Sequence, residues 1–283
     1  MAAKLPPFSY CQPVSQPLTW PPMASVASAA NERLKKMVFE AQGITVFAGK
    51  VFGRAFAPPF YWRDLYEQIH FLGLGSVYLC VFTGVFAGQA MALQFSKEMA
   101  EFGAKDYMGR IVTLANVRAL GPVLTGLMVA ARVSSGIAAE IGAMKASNQL
   151  DALASFGTDP IKKLAVPRLW ALFLMMPILT ILTDTIAIIG GWIVSHFIVH
   201  VSDSLFWTNV KQRLLFGNLL VGLTKPFVFG VIIAIVGCYK GFSSEGGTRG
   251  VGQATREAVV ISSISILVAE FMMTKGLFSL LGW

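Results

Sequence analysis

Five ionisable residues, Arg118, Arg132, Asp184, Lys225 and Glu270, fall inside stretches that are otherwise apolar. Each costs several kcal/mol in hydrocarbon unless it is paired or wetted. The types allow two readings. In one, the charges neutralise each other: Asp184 or Glu270 with Lys225, and Arg132 with Glu140, eight residues on along the same helix face. In the other, some of them line a cavity entered by a charged, amphipathic substrate. Lys225 precedes Pro226, where a helix loses a backbone donor and can kink to admit water or a polar headgroup. None of the five has the spacing of a nucleophile with its base or of metal ligands. No GxxxxGK[ST] phosphate loop occurs, and the glycine-rich run Gly246 to Gly252 lacks its Lys and hydroxyl residue, so it reads as a tight turn. HExxH and GxSxG motifs are absent, and His70, His196 and His200 are scattered. The expectation is a chain with no catalytic residues, no metal site and no cofactor of its own.

The elements that would position these charges follow from composition. The chain has 283 residues, 55% hydrophobic and only 13% charged, and its mean hydropathy is +0.63. Those values lie outside the soluble globular range. The net charge of +8 falls in short segments between apolar runs, which fits membrane orientation better than nucleic-acid binding. Cys11, Cys80 and Cys238 have no paired spacing, so they specify neither a disulfide framework nor a zinc site.

Residues 1–30 carry Pro6, Pro7, Pro13, Pro17, Pro21 and Pro22 and read as a disordered Pro/Ser-rich tail. They lack the pattern of a cleaved signal peptide; a plastid transit peptide is the alternative. Residues 31–68 form an amphipathic interfacial region. There Leu34, Val38, Ala41, Ile44, Ala48, Val51 and Ala55 recur at helical spacing among Lys35, Lys36, Lys50 and Arg54. The alternative is an ordinary amphipathic helix packed on protein. A membrane domain, 69–283, contains five apolar segments at about 69–95, 111–139, 169–199, 214–239 and 258–282. Each exceeds the roughly 20 residues that cross a bilayer core. From residue 50 onward one side receives ten Lys and Arg and the other six, which places the N-terminus in the cytoplasm and the C-terminus outside. The fold class expected is therefore an all-α integral membrane protein.

Gly84 and Gly88 form a GxxxG in the first span, and Gly126, Ala130, Ala131, Ser135 and Ala139 continue small steps in the second. Such spacing lets helix backbones approach, within one chain or between two. The loop of about 140–168 reads as two short cytoplasmic helices. The first starts near Ser147 or Asn148, buries Leu150 and Leu153 and stops at Gly157; the second has Asp159 as cap and Pro160 at its first position. A flat helix mixing Leu and Phe with Gln and Asp suits docking into a groove on a partner protein.

The sequence around these residues resembles the MlaE (YrbE) permease family. The resemblance is carried by Arg118, Gly121, Pro122, Arg132, Glu140, Gly142, Met144, Lys145, the run Gln149, Leu150, Asp151, Ala152, then Asp159, Pro160 and Arg168. It extends from about Tyr61 to the C-terminus and includes Gly84 to Gly88, the Lys225 helix and the Gly250 to Thr255 loop. Two positions depart from the pattern: Ala119 stands where many relatives carry Glu, and Glu270 where Asp is common.

The resemblance implies five spans, an interfacial N-terminal helix and a homodimer whose interface holds a phospholipid cavity. It implies an inner-membrane permease of the bacterial cell envelope that maintains outer-membrane lipid asymmetry. Its implied partners are a cytoplasmic ABC ATPase holding ATP and Mg, a periplasmic MCE-domain protein and a small STAS-domain regulator. Glu140, Gly142, Met144, Lys145, Gln149 to Ala152, Gly157, Asp159, Pro160 and Arg168 would couple to the ATPase. Tyr78, Val81, Phe82, Val85 and Gln89, taken to face Gly84 and Gly88, would line the cavity together with Lys225, with Arg118 at the lipid phosphate. The competing reading is an ion-coupled carrier using Asp184, Lys225 and Glu270 as a charge relay.

Overall fold

The computed structural model describes residues 23–58, 61–214 and 216–281, and no strand occurs among them. The chain divides into two compact units, Met1–Gly43 and Ile44–Trp283. Helix α1 runs Met23–Ala55. It begins directly after Pro21 and Pro22, earlier than the expected Asn31, because the stretch from Met23 to Ala30 is free of proline and rich in alanine. The rest of the expected proline-rich tail lies outside the described residues.

Five helices are long and apolar enough to cross a membrane: α2 (Trp62–Glu101), α3 (Lys105–Ala146), α5 (Ile161–Phe197), α7 (Phe216–Phe242) and α8 (Gly247–Leu281). The short helix α4, Gln149–Ser155, joins α3 to α5, and α6, Asp203–Arg213, lies between α5 and α7. All five expected spans are present, with polar turns added at their ends. Residues 62–68, part of the expected interfacial region, form the first turns of α2. Pro58 lies in the turn that follows α1 ahead of them. Helix α6 escapes the hydropathy pattern because it is polar on most sides and buries only Phe206 and Val210.

In α1 the apolar stripe of the second unit packs on protein. Val51 and Ala55 are buried, Ile44 and Ala48 partly so, and Phe47 meets the rings of Tyr239 and Phe242 at 5.9 and 5.8 Å. The face turned outward carries Val46 and Phe52.

Wide π turns interrupt the long helices at Ile69–Leu74, Asn116–Leu120, Ala130–Ser134 and Ile161–Ala165. The second has a visible cause. Pro122 has no N–H to give the Arg118 carbonyl four residues earlier, and its ring crowds that carbonyl, so the helix widens just before it.

The principal crossing is α2 on α5, and it resolves the GxxxG. Every fourth residue of α2, from Ser76 through Cys80, Gly84 and Gly88 to Ala92, is buried. A Cβ at Gly88 would collide with the backbone of Ala187, and one at Gly84 would lie 2.8 Å from the Thr183 carbonyl. The motif therefore packs within the chain. In α3 the small residues divide: Gly126 and Ala130 are buried and Ser134 meets Ser262 at 3.0 Å, whereas Ala131 is exposed and Ser135 and Ala139 only half-buried. The π turn at Ala130–Ser134 rotates the buried face, which straight-helix spacing does not anticipate.

Substituting Gly88→Val forces two helix backbones apart and is expected to destabilise the detergent-solubilised protein by about 1–3 kcal/mol or more. Gly136→Ala, where a Cβ meets nothing within 4 Å, should leave the melting temperature unchanged in the same thermal scan.

Candidate functional site

Three groups of residues hold the features that the sequence singles out: the loop around α4, the exposed face of α2 and the buried charges.

At the α4 end of the bundle, polar contacts tie the helices together. Glu140 pairs with Arg168 at 2.7 Å, joining α3 to α5, and Arg168 is 1% exposed. Lys145 donates to the Phe242 carbonyl at 2.8 Å, satisfying the C-terminal end of α7. Lys240 bonds Glu257 at 2.8 Å, joining α7 to α8. Arg54, at the end of α1, pairs with Asp159, and Lys162 donates to the Pro58 carbonyl at 2.5 Å. Gly142 lies against Ser244 and Val251, and Met144 packs on the main core.

Helix α4 is held where these ties converge. Leu150 is its buried anchor, Leu153 is half-buried, and Gln149, Asp151, Ala152 and Phe156 face outward, Phe156 at 85% exposure. Asn148 precedes the helix in a left-handed conformation (φ 57°) and makes no side-chain cap bond, so it serves as a bend. Gly157 ends the helix at φ +74°, the left-handed position that favours glycine. Asp159 accepts the Ile161 N–H at 3.0 Å as expected of a cap ahead of Pro160. The second short helix is not separate, however, since the π turn carries it straight into α5.

On α2 the expected cavity residues do not face Gly84 and Gly88. Tyr78 and Phe82 lie on the opposite side, 55% and 63% exposed, with Phe86 continuing the stripe; Val81, Val85 and Gln89 are half-buried flanks. The glycines turn toward α5, and the period of about four residues puts the aromatics on the open face. Arg132 joins this stripe. Its guanidinium lies 5.7 Å from the Tyr78 ring centroid and donates to Ser76 at 3.0 Å. The expected Arg132–Glu140 pair does not form, because Glu140 is taken by Arg168 from the neighbouring helix.

Lys225 is completely buried in α7. Its ammonium donates to Glu270 at 2.5 Å, to the Arg118 carbonyl at 2.5 Å and to Thr274 at 2.9 Å, and Thr274 in turn donates to Glu270 at 3.0 Å. Of the two carboxylates that the sequence offers Lys225, Glu270 is the partner. Asp184 instead packs against Gly121, and its Oδ1 has no hydrogen-bond partner. Among the described residues no hydrogen bond or ion pair joins Asp184 to Lys225 or Glu270. The Arg118 side chain donates to Asn218 Oδ1 at 3.1 and 2.5 Å and lies 5.9 Å from the Phe278 ring centroid.

Sequence reasoning misses Asn218, Thr274 and Ser76 as partners, since neutral polar residues in apolar runs carry no charge signal. It also misses the Arg54–Asp159 tie, which joins segments far apart in sequence. His196 pairs with Asp203 at 2.8 Å, and no cluster of metal-ligating residues occurs among the described residues.

Removing one member of the Lys225 pair should cost far more than removing both. Lys225→Met leaves a largely buried carboxylate and is expected to destabilise by about 3–5 kcal/mol, whereas Lys225→Met with Glu270→Leu should recover much of that loss. Chemical denaturation in detergent micelles measures both.

Comparison with known proteins agrees with this architecture. The model of the family described as Permease MlaE matches residues 65–275. A probable ABC transporter permease protein of Rickettsia typhi is 39% identical over 88% of this chain and 97% of its own length. One from Synechocystis is 38% identical over 76% and 82%. The protein TRIGALACTOSYLDIACYLGLYCEROL 1, chloroplastic, of Arabidopsis thaliana is 32% identical over 86% and 69%. With three-quarters of its length inside the family model and its five long apolar helices in place, this chain belongs to the MlaE permease family and is an ABC transporter permease.

Proposed function

We propose that this chain is the phospholipid permease of an ATP-driven transporter in a bacterial inner membrane, working as a homodimer. The observation that carries the reading is α4. It is an outward-facing helix with an exposed Phe156, fixed on one buried leucine at an end where polar contacts cross-link α3, α5, α7 and α8. An ABC permease takes its energy from a separate ATPase that holds ATP and Mg, and α4 has the form of the element that enters such a partner. Force applied at Gln149, Asp151, Ala152 and Phe156 passes through Leu150 and the Glu140–Arg168 pair into α3 and α5 together. Because α5 is packed backbone to backbone on α2, the displacement reaches the aromatic stripe as a movement of rigid helices.

The lipid reading rests on the open face of α2. Tyr78, Phe82, Val81, Val85 and Gln89 form an apolar wall, and Arg132 beside Tyr78 supplies a cation within it. Two such walls facing each other across a dimer axis would enclose chains and phosphate of one lipid. Arg132 fits the phosphate contact better than Arg118 and Lys225, whose donors serve Asn218 in one case and Glu270, Thr274 and a carbonyl in the other. The name of the Arabidopsis relative contains a glycerolipid, which supports a lipid substrate. In this scheme the α4 end is cytoplasmic, and an MCE-domain protein meets the opposite end and exchanges lipid with the dimer cavity. A small STAS-domain protein is a further expected subunit.

Purifying the tagged chain with its native neighbours should recover a P-loop ATPase, an MCE-domain protein and phospholipid by mass spectrometry. Recovery of the chain alone, with transport that follows an ion gradient and ignores ATP, would establish the carrier reading instead. Within the complex, Phe156→Ala and Asp151→Ala alter exposed side chains only. Each should weaken ATPase capture by roughly tenfold, the scale of an interface anchor worth more than 1 kcal/mol, while the permease's own melting temperature stays unchanged.

A further inference from the structure

A second apolar cavity lies away from the α2 stripe. It occupies about 430 Å³ between the end of α1, the start of α2 and the start of α5. Its walls include Phe56, Trp62, Leu65 and Trp170, and the cations at its edge are Arg54 and Lys162. Trp170 anchors one wall by donating to the Ala55 carbonyl at 3.4 Å and by edge contact with Phe56 at 5.8 Å. Phe56 and Trp62 are each 72% exposed, so the cavity opens onto an aromatic collar. Aromatic side chains of this kind settle at the boundary between hydrocarbon and headgroups.

The chemistry of the walls selects the occupant. A cavity this apolar holds water poorly, because it offers few polar partners, and at boundary depth the apolar material at hand is an acyl chain. Among the described residues the lining includes no acid. Asp159 offsets Arg54, but Lys162 donates to a neutral carbonyl, so the rim keeps a net positive charge. Basic pockets at the headgroup level attract anionic lipid heads.

We propose that this cavity is a binding site for one anionic phospholipid, separate from the transported lipid, with an acyl chain against Trp62, Leu65 and Trp170 and its phosphate at Lys162 and Arg54. The site adjoins the two contacts that tie the end of α1 to the loop after α4, Arg54–Asp159 and Lys162 to Pro58. A bound lipid therefore braces the same end of the bundle that carries α4.

Native mass spectrometry of the delipidated full chain, titrated with phosphatidylglycerol or phosphatidylcholine, tests the proposal. One phosphatidylglycerol per chain should bind in preference to phosphatidylcholine. Lys162→Gln should weaken that binding about fivefold, the effect of about one cation near an anionic surface, and Leu65→Trp, which fills the cavity, should abolish it. Phosphatidylglycerol with brominated chains should quench tryptophan fluorescence saturably in the parent protein, and Trp62→Phe with Trp170→Phe should remove that component. Lipid that binds at the Tyr78 and Arg132 face during the titration should bind unchanged in all of these variants, which keeps the two sites distinguishable. Equal binding of both lipids, or retention unchanged in both Lys162→Gln and Leu65→Trp, would overturn the proposal.

Discussion

A lysine ammonium with no solvent exposure must find three acceptors inside the protein, and the way Lys225 finds them fixes three of the five long helices. Glu270 and Thr274, one turn apart on α8, supply two acceptors. The third is a backbone carbonyl, which a regular helix does not leave open. It is open on Arg118 because Pro122 contributes no N–H to it. A proline in α3 thus creates the acceptor that a lysine in α7 requires, and a carboxylate on α8 completes the set. In hydrocarbon none of the three can be left without the others.

The same constraint explains the contrast between the two faces of the bundle. On α2 the face that meets α5 is glycine and alanine at every fourth position, close enough that a methyl group at Gly88 would strike a backbone. The opposite face carries Tyr78, Phe82 and Phe86, which stay exposed among the described residues, along with an arginine held at the Tyr78 ring. Close packing on one side makes the wall stiff, and the bulk on the other side gives it an open aromatic surface.

At the α4 end, ion pairs and one lysine-to-carbonyl bond join α3 to α5, α3 to α7, α7 to α8, and the end of α1 to the α4 loop. Singly, half-exposed pairs of this sort contribute little stability. Their role here is geometric. They hold neighbouring helices to one another at the end of the bundle that carries the seven-residue helix α4.

Hydropathy alone determines that the chain has five spans, because a bilayer core demands some 20 apolar residues per crossing and tolerates no unpaired backbone. Local chemistry determines α4 as well. Gly157 and Asp159 mark its end and the next start through φ preference and a side-chain bond to a backbone N–H, effects that act within a few residues. The tertiary structure alone decides which charges meet. From sequence, Arg132 has Glu140 on its own helix face and Lys225 has two carboxylates to choose from. In space Glu140 belongs to Arg168, Arg132 to Ser76 and Tyr78, and Lys225 to Glu270. It also decides that Gly84 and Gly88 turn inward while Tyr78 and Phe82 turn outward. A membrane helix is apolar all round, so its composition does not record which side meets protein and which meets lipid. That distinction depends on the shape of the neighbouring helix, and here the neighbour is α5, whose Thr183 and Ala187 backbone fits only against glycine.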